Sequence, residues 1–240
     1  MKMLLKYSAA LMPLFAACLA TAADDAATKA SLGLPVVTIQ AVTTEDTSAY
    51  VHWVEMANEK FKAAGGPDNF THVYQGILAG DETGVVYAVR LADSAVAMAK
   101  ASDAMAKMPE RAELMGHLNA IRKLGAASML QAIRFEGGYD NEWVLVTDVL
   151  VKDEGAYLKG LGELRALLDS HDMKDIKLNV YRVIAGRSGY SHKVVITAPS
   201  HERCAAMLDG QSTPWMSEWL ASLAPLRTVV HNGVYQKISK

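Results

Sequence analysis

The chain has 240 residues, with 24 basic against 26 acidic side chains and a net charge of −2, which excludes the basic footprint of a nucleic-acid binder. Its apolar share of 51% is enough for one doubled domain or two small ones. With two cysteines, Cys18 and Cys204, stability has to come from core packing and not from a disulfide framework.

Lys2 and Lys6 precede an apolar stretch, Tyr7 to Leu19, that is too short to span a bilayer, and Ala20-Thr21-Ala22 is a small-x-small cleavage site. Residues 1–22 are therefore expected to be a signal peptide and the mature chain to be periplasmic or secreted, with no transmembrane segment. A lipoprotein anchor through Cys18 is the competing reading, because Leu14-Phe15-Ala16-Ala17-Cys18 loosely resembles a lipid-attachment signal; Phe15 stands where that signal prefers Leu. Cleavage removes two lysines and no acid, leaving 22 basic against 26 acidic residues and a net charge of −4. Residues 23–34 are small and polar, with Gly33 and Pro35 at their end, and read as a linker.

Val36 to Thr43 is a β-branched run of strand length. Asp46 or Thr44 can cap the helix that follows, and Gly65-Gly66-Pro67 stops it. Phe70 to Ala79 and Val85 to Leu91 read as strands joined by the turn Gly80-Asp81-Glu82-Thr83-Gly84. A helical region is expected from Asp93 to Leu124, broken at Pro109, with Met129 to Phe135 as a closing strand.

The same order then returns. Asp46-Thr47-Ser48-Ala49-Tyr50 is echoed by Asp153-Glu154-Gly155-Ala156-Tyr157, 107 positions on, and Tyr50, Val54, Ala57 and Phe61 by Tyr157, Leu161, Leu164 and Leu168. That spacing places each set within about 40° of one line along a helix. Trp143 to Val151, Ile176 to Ala185, Lys193 to Thr197 and Val229 to Ile238 read as strands, and His201 to Leu223 as a helical region restarted at Thr213-Pro214. The prediction is an α+β chain of two tandem βαββαβ units, residues 35–137 and 141–240, joined through Gly137-Gly138-Tyr139-Asp140.

A tandem ferredoxin-like βαββαβ pair with a proline-broken second helix in each copy (Met108-Pro109-Glu110 and Thr213-Pro214-Trp215) resembles the dimeric α+β barrel superfamily, nearest its NIPSNAP-like and antibiotic-biosynthesis-monooxygenase-like groups. The resemblance implies two antiparallel sheets packed face to face into a pseudo-dimeric barrel supplied by one chain. It also implies a range of functions, from cofactor-free oxygenases and heme-dependent enzymes to proteins without activity, so the site has to decide between them.

Few residues point to chemistry. His52, Glu55 and Glu59 lie at roughly 200°, 140° and 180° from Tyr50 around the helix, opposite the apolar stripe, so a solvated face explains them better than a metal. His171, Asp172 and Asp175 fall in a short polar loop, Gly186-Arg187-Ser188-Gly189 reads as a turn, and Cys204, beside Ala205 and Ala206 on a helix, reads as core. Trp215 and Trp219, i and i+4, also read as core. No metal site and no cofactor is expected.

Polar residues inside strands say more, since both faces of such sheets are buried. Asp148 interrupts an apolar strand and is expected either to pair with Arg134 or Arg182 or to serve a ligand. On Phe70 to Ala79, His72, Tyr74 and Gly76 share one face, and the repeat puts Asn179 and Tyr181 at the matching positions. That face is where any pocket is expected, with His72 the candidate acid or base, Asn179 orienting a ligand, Tyr74 and Tyr181 stacking or donating and Gly76 leaving room; the alternative is that His72, Tyr74, Asn179 and Tyr181 are satisfied core polar residues bonded to neighbouring strands. The sequence tilts toward a non-catalytic binder of a small apolar or aromatic molecule, or an assembly module, monomeric or homodimeric. A cofactor-free or heme-dependent monooxygenase-like enzyme acting on a small aromatic substrate is the alternative.

Overall fold

The structure, a computed structural model, describes residues 34–68, 70–186 and 189–240. The expected signal peptide, the linker through Gly33 and Arg187-Ser188 of the expected turn lie outside the described residues. The first half runs β1 (Val36–Thr44), α1 (Thr47–Ala63), β2 (Thr71–Leu78), β3 (Val86–Ala92), α2 (Ala95–Ala106), α3 (Arg111–Ile121) and β4 (Arg122–Arg134). The second runs β5 (Trp143–Val151), α4 (Glu154–Ser170), β6 (Lys177–Gly186), β7 (His192–Ala198), α5 (His201–Gly210), α6 (Pro214–Leu223) and β8 (Arg227–Lys237).

Short polar side chains start the helices in both halves. Asp46 accepts from the Ala49 amide at 2.8 Å and Asp153 from the Ala156 amide at 2.9 Å. Ser94 and Ser200 do the same for α2 and α5. Each cap satisfies an amide that the first turn leaves without a carbonyl. The stripe begun by Tyr157 is wholly buried, with Leu161 and Leu168 at 0% and Leu164 at 1% exposure. At about 1.5–3 kcal/mol per large apolar side chain, that burial holds α4 to its sheet.

In each half the strands follow the ferredoxin-like order, β4-β1-β3-β2 and β8-β5-β7-β6, and the eight close into one antiparallel barrel, β1-β3-β2-β8-β5-β7-β6-β4. The two sheets do more than face each other. β2 pairs with β8 and β4 with β6, so each unit's edge strands find their missing partners in the other. Closure leaves no open edge, and the described residues belong to one compact unit.

One boundary differs from expectation. β4 begins at Arg122, where helix was expected to continue to Leu124, because residues 122–128 pair with β1 from Thr44 back to Ile39. Gln40 Nε2 adds a bond to the Gly125 carbonyl at 2.7 Å. The small residues Gly125-Ala126-Ala127 carry little preference of their own, and the ladder decides.

Candidate functional site

Strand parity sends one set of side chains into the barrel, where they enclose a cavity of about 210 Å³. Val37, Ile39, Val89, Leu130, Val144, Val146 and Val195 supply its apolar walls. Six of the chain's nine tyrosines line it as well: Tyr74, Tyr87, Tyr139, Tyr181, Tyr190 and Tyr235. Burial pushes all six phenols above their ordinary range, so near neutral pH they keep their protons and can donate.

Charge enters this apolar space in two places. Asp148 of β5 and Lys193 of β7 are register partners, and Lys193 Nζ lies 2.5 Å from Asp148 Oδ1 with both residues buried. Burial raises the Asp148 carboxyl, and the Lys193 ammonium opposes that rise. Lys193 Nζ also stands 4.6 Å from the centre of the Tyr190 ring, a cation–π distance.

The second place is the turn between β2 and β3. Gly76 is required there: a Cβ on it would stand 2.3 Å from the Glu82 carbonyl oxygen. The absent side chain lets Gly80–Glu82 fold back over the barrel, fixed by the Gly84 amide donating to the Gly76 carbonyl at 2.8 Å. Gly76 thus makes room for this turn and not for a ligand. The turn carries Glu82 to the cavity wall, where the Tyr235 hydroxyl donates to its carboxylate. His231 Nε2 lies 2.8 Å from the Tyr235 oxygen and 3.5 Å from Glu82. Glu82, Tyr235 and His231 form a hydrogen-bonded cluster at the cavity wall, with the Glu82 side chain 37% exposed and that of His231 20%.

Of the residues singled out in the sequence, Tyr74, Tyr181 and Asp148 meet in this cavity, and Tyr181 shares a 2.5 Å hydroxyl contact with Tyr139. Asp148 pairs with neither Arg134 nor Arg182. Arg134 bonds Glu136, and Arg182 bonds Glu154 on the outer side, whereas Asp148 points inward. Asn179 is fully buried but is not in the wall. It holds the crossover between the units, donating to the Gly137 carbonyl at 2.8 Å and accepting from the Glu136 amide at 2.8 Å. His72 is 8% exposed and also outside the wall; its Nδ1 has no partner among the described residues, and burial lowers its pKa to about 4.

Lys193, Glu82, Tyr235 and His231 escaped the sequence reading. Lys193 carried a usable signal, since a lysine amid the apolar residues of β7 is the same anomaly as an aspartate amid those of β5. Glu82 looked like an ordinary turn residue, and its role depends on how the turn folds back.

No family model and no curated protein matches the chain. Solved structures do. A protein from Lactobacillus acidophilus NCFM, assigned provisionally as a monooxygenase, superposes with a TM-score of 0.57 at 14% identity, over 85% of this chain and 93% of that one. An anthrone oxidase-like protein gives 0.54 at 13% over 85% and 91%. A protein assigned provisionally as a chlorite dismutase gives 0.50 at 10% over 86% and 96%. The fold is that of the dimeric α+β barrels.

A histidine-held heme would find no axial ligand in the two cavities described. No histidine lines the barrel interior or the smaller cavity under α1 and α3. A volume of about 210 Å³ is also below the roughly 300–1,000 Å³ of ordinary cofactor sites. No group of three metal-ligating side chains occurs among the described residues.

Proposed function

We propose that the barrel interior binds one small, largely aromatic molecule carrying a polar group, in an exported protein that holds this ligand and does not transform it. The observation that carries this reading is one partly open cavity that joins aliphatic walls and six phenols to a buried Asp148–Lys193 pair. A dry apolar cavity of about 150 Å³ accommodates benzene, so about 210 Å³ suits a substituted ring or a small bicycle. The neutral phenols offer ring edges and faces to such a ligand and hydroxyls to its polar group. Lys193, held in place by Asp148, offers its Nζ to a carbonyl, hydroxyl or carboxylate there. Since the two units complete each other's sheet edges, the chain needs no second copy to close this site; a monomer is expected, with a homodimer through the outer helices as the second possibility.

One observation favours a second reading, a cofactor-free monooxygenase-like enzyme. Glu82, on the cavity wall with its side chain 37% exposed, could take a proton from an acidic phenol or enol in the cavity and release it to solvent, with the Tyr235 hydroxyl donating to its carboxylate. Two of the proteins compared above are described as a monooxygenase, by provisional assignment, and as anthrone oxidase-like; they share the fold, and Glu82 is the feature of this chain that such chemistry would use.

Calorimetric titration with 1-naphthol and 2-naphthoate, run beside an oxygen electrode, tests both. The expected result is saturable binding at one site, abolished in Val146→Trp, whose indole fills the cavity while circular dichroism stays native. Unchanged affinity in that variant would remove the barrel site. Oxygen uptake that Glu82→Gln abolishes would replace the binder reading with the enzymatic one.

A further inference from the structure

The other face of the first unit's sheet covers a second cavity, about 50 Å³, under α1 and α3. In the second unit the corresponding space is filled by one continuous apolar core. In the first unit the core is in two pieces, one around Tyr50 and Leu118 and one around Phe61 and Met108, and residues of both line the cavity.

Three arginines also line it, Arg90, Arg111 and Arg122, and no carboxylate does. None of the three has an ion-pair partner among the described residues. Arg90 Nε donates to Thr71 Oγ1 at 3.3 Å. Its two terminal nitrogens have no protein acceptor among the described residues. Burial and the nearby Arg122 charge hold the Arg90 guanidinium below its ordinary range. Arg90 and Arg122 are half-buried and Arg111 is exposed, and a partly desolvated cation normally meets an anion or stays near solvent.

The internal repeat shows that the charge is not demanded by the fold. Thr71 pairs with Arg90 on β2 and β3, and the equivalent pair on β6 and β7 is Leu178 with Ile196. The first unit places an arginine where its copy places an isoleucine. The tyrosine–arginine pairs differ in the same sense. Arg227 Nη1 donates to the Tyr157 hydroxyl at 2.9 Å. Arg122 stands over the Tyr50 ring at 5.9 Å and its Nη2 lies 4.0 Å from Met115 Sδ, yet the Tyr50 hydroxyl and Arg122 Nε, both buried, have no hydrogen-bond partner among the described residues. Tyr50 is 0% exposed and lines the cavity. Unsatisfied donors, unpaired guanidinium groups and an apolar surround meet at one small space.

We propose that this space is a binding site for a small oxyanion group, a phosphate, sulfate or carboxylate, held by Arg90 and Arg122 with the Tyr50 hydroxyl donating to it and Arg111 at the rim. Planar guanidinium groups match the paired oxygens of such anions. The volume, about 50 Å³, exceeds the roughly 15 Å³ needed for one water but leaves no room for a ligand body, so the group is either a free inorganic anion or the end of a molecule that enters past Arg111. The site lies on the opposite face of the sheet from the barrel cavity, and the two proposals stand or fall separately.

Calorimetric titration of the full chain with inorganic phosphate, sulfate and acetate, at an ionic strength held constant with sodium chloride, tests this. Saturable binding of at least one of them, one per chain, is expected. Loss of a charged contact should weaken it about tenfold or more in Arg90→Ile, which installs the second unit's residue, and loss of one hydroxyl several-fold in Tyr50→Phe. Phosphate or sulfate binding identifies a free inorganic anion, and binding of acetate alone identifies a carboxylate terminus. No saturable binding of any of the three, or affinity unchanged in the variants, overturns the proposal; if Arg90→Ile does not fold, Tyr50→Phe decides alone.

Discussion

Replacing Lys193 by Leu strands Asp148, 5% exposed, inside the barrel without its counter-charge. Removing one partner of a buried pair costs about 3–5 kcal/mol, and protonation sets a ceiling on that cost. Keeping an aspartate neutral at pH 7 when it ionises near 3.9 in the unfolded chain costs about 4 kcal/mol, at about 1.36 kcal/mol per pH unit. The folded-state pKa of Asp148 is already raised by burial, with Lys193 opposing the rise, so losing Lys193 raises it further. For a carboxyl raised in the folded state, the folded form holds the extra proton. Its stabilising share is present below the unfolded pKa and is lost as pH rises through the folded one. The variant's deficit relative to wild type should thus grow as pH rises from about 4 toward 7 and stay below the ceiling of about 4 kcal/mol, because the wild-type carboxyl is itself raised and loses part of the same share. Urea melts of both proteins at half-unit steps from pH 4 to 7 measure it, and Asp148→Leu/Lys193→Leu should recover most of the loss. A deficit that does not change with pH, or one below about 1 kcal/mol at pH 7, would refute the account of Asp148 as a buried carboxylate balanced by Lys193.

Tyr157→Ala should cost about 3–5 kcal/mol in a urea melt, since the ring is 0% exposed and its hydroxyl accepts from Arg227; a cost well under about 1 kcal/mol would mean that the stripe does not carry α4. His72, with its pKa lowered to about 4 by burial and then by Lys237, should titrate near that value by NMR. A depressed histidine stabilises above its unfolded pKa and loses that share as pH falls from about 6.5 toward 4, so His72→Phe should flatten the acid limb of the stability curve, and a midpoint near 6.5 would contradict its burial. Residues 35–137 expressed alone lose the β8 and β6 partners of β2 and β4 and should dimerise or aggregate; a stable soluble monomer by light scattering would sink the pseudo-dimer reading.

The sequence by itself determined the elements and their duplication. Helix caps such as Asp46 and Asp153, the stripes begun by Tyr50 and Tyr157 and the breaks at Pro109 and Pro214 act within one or two helical turns, so they are written in neighbouring residues and survive whatever the chain folds against. Strand parity is equally local: it put His72, Tyr74, Asn179 and Tyr181 on one face, of which Tyr74 and Tyr181 line the cavity, while Asp148, also in its wall, stood out as a polar residue in an apolar strand. Only the tertiary structure decided who meets whom. Lys193 reaches Asp148 across 45 residues because β5 and β7 fall in one register, and Glu82 reaches Tyr235 across 153 because a side-chain-free Gly76 lets its turn fold over the barrel. Asn179 shares a strand face with Tyr181, yet its amide is used up by the crossover at Glu136 and Gly137. Arg90 differs from its counterpart Ile196 by one side chain, but the meaning of that difference depends on which helices cover the sheet. Contacts of this kind are selected by closure of the whole barrel, a condition on all eight strands at once that no short stretch of sequence contains.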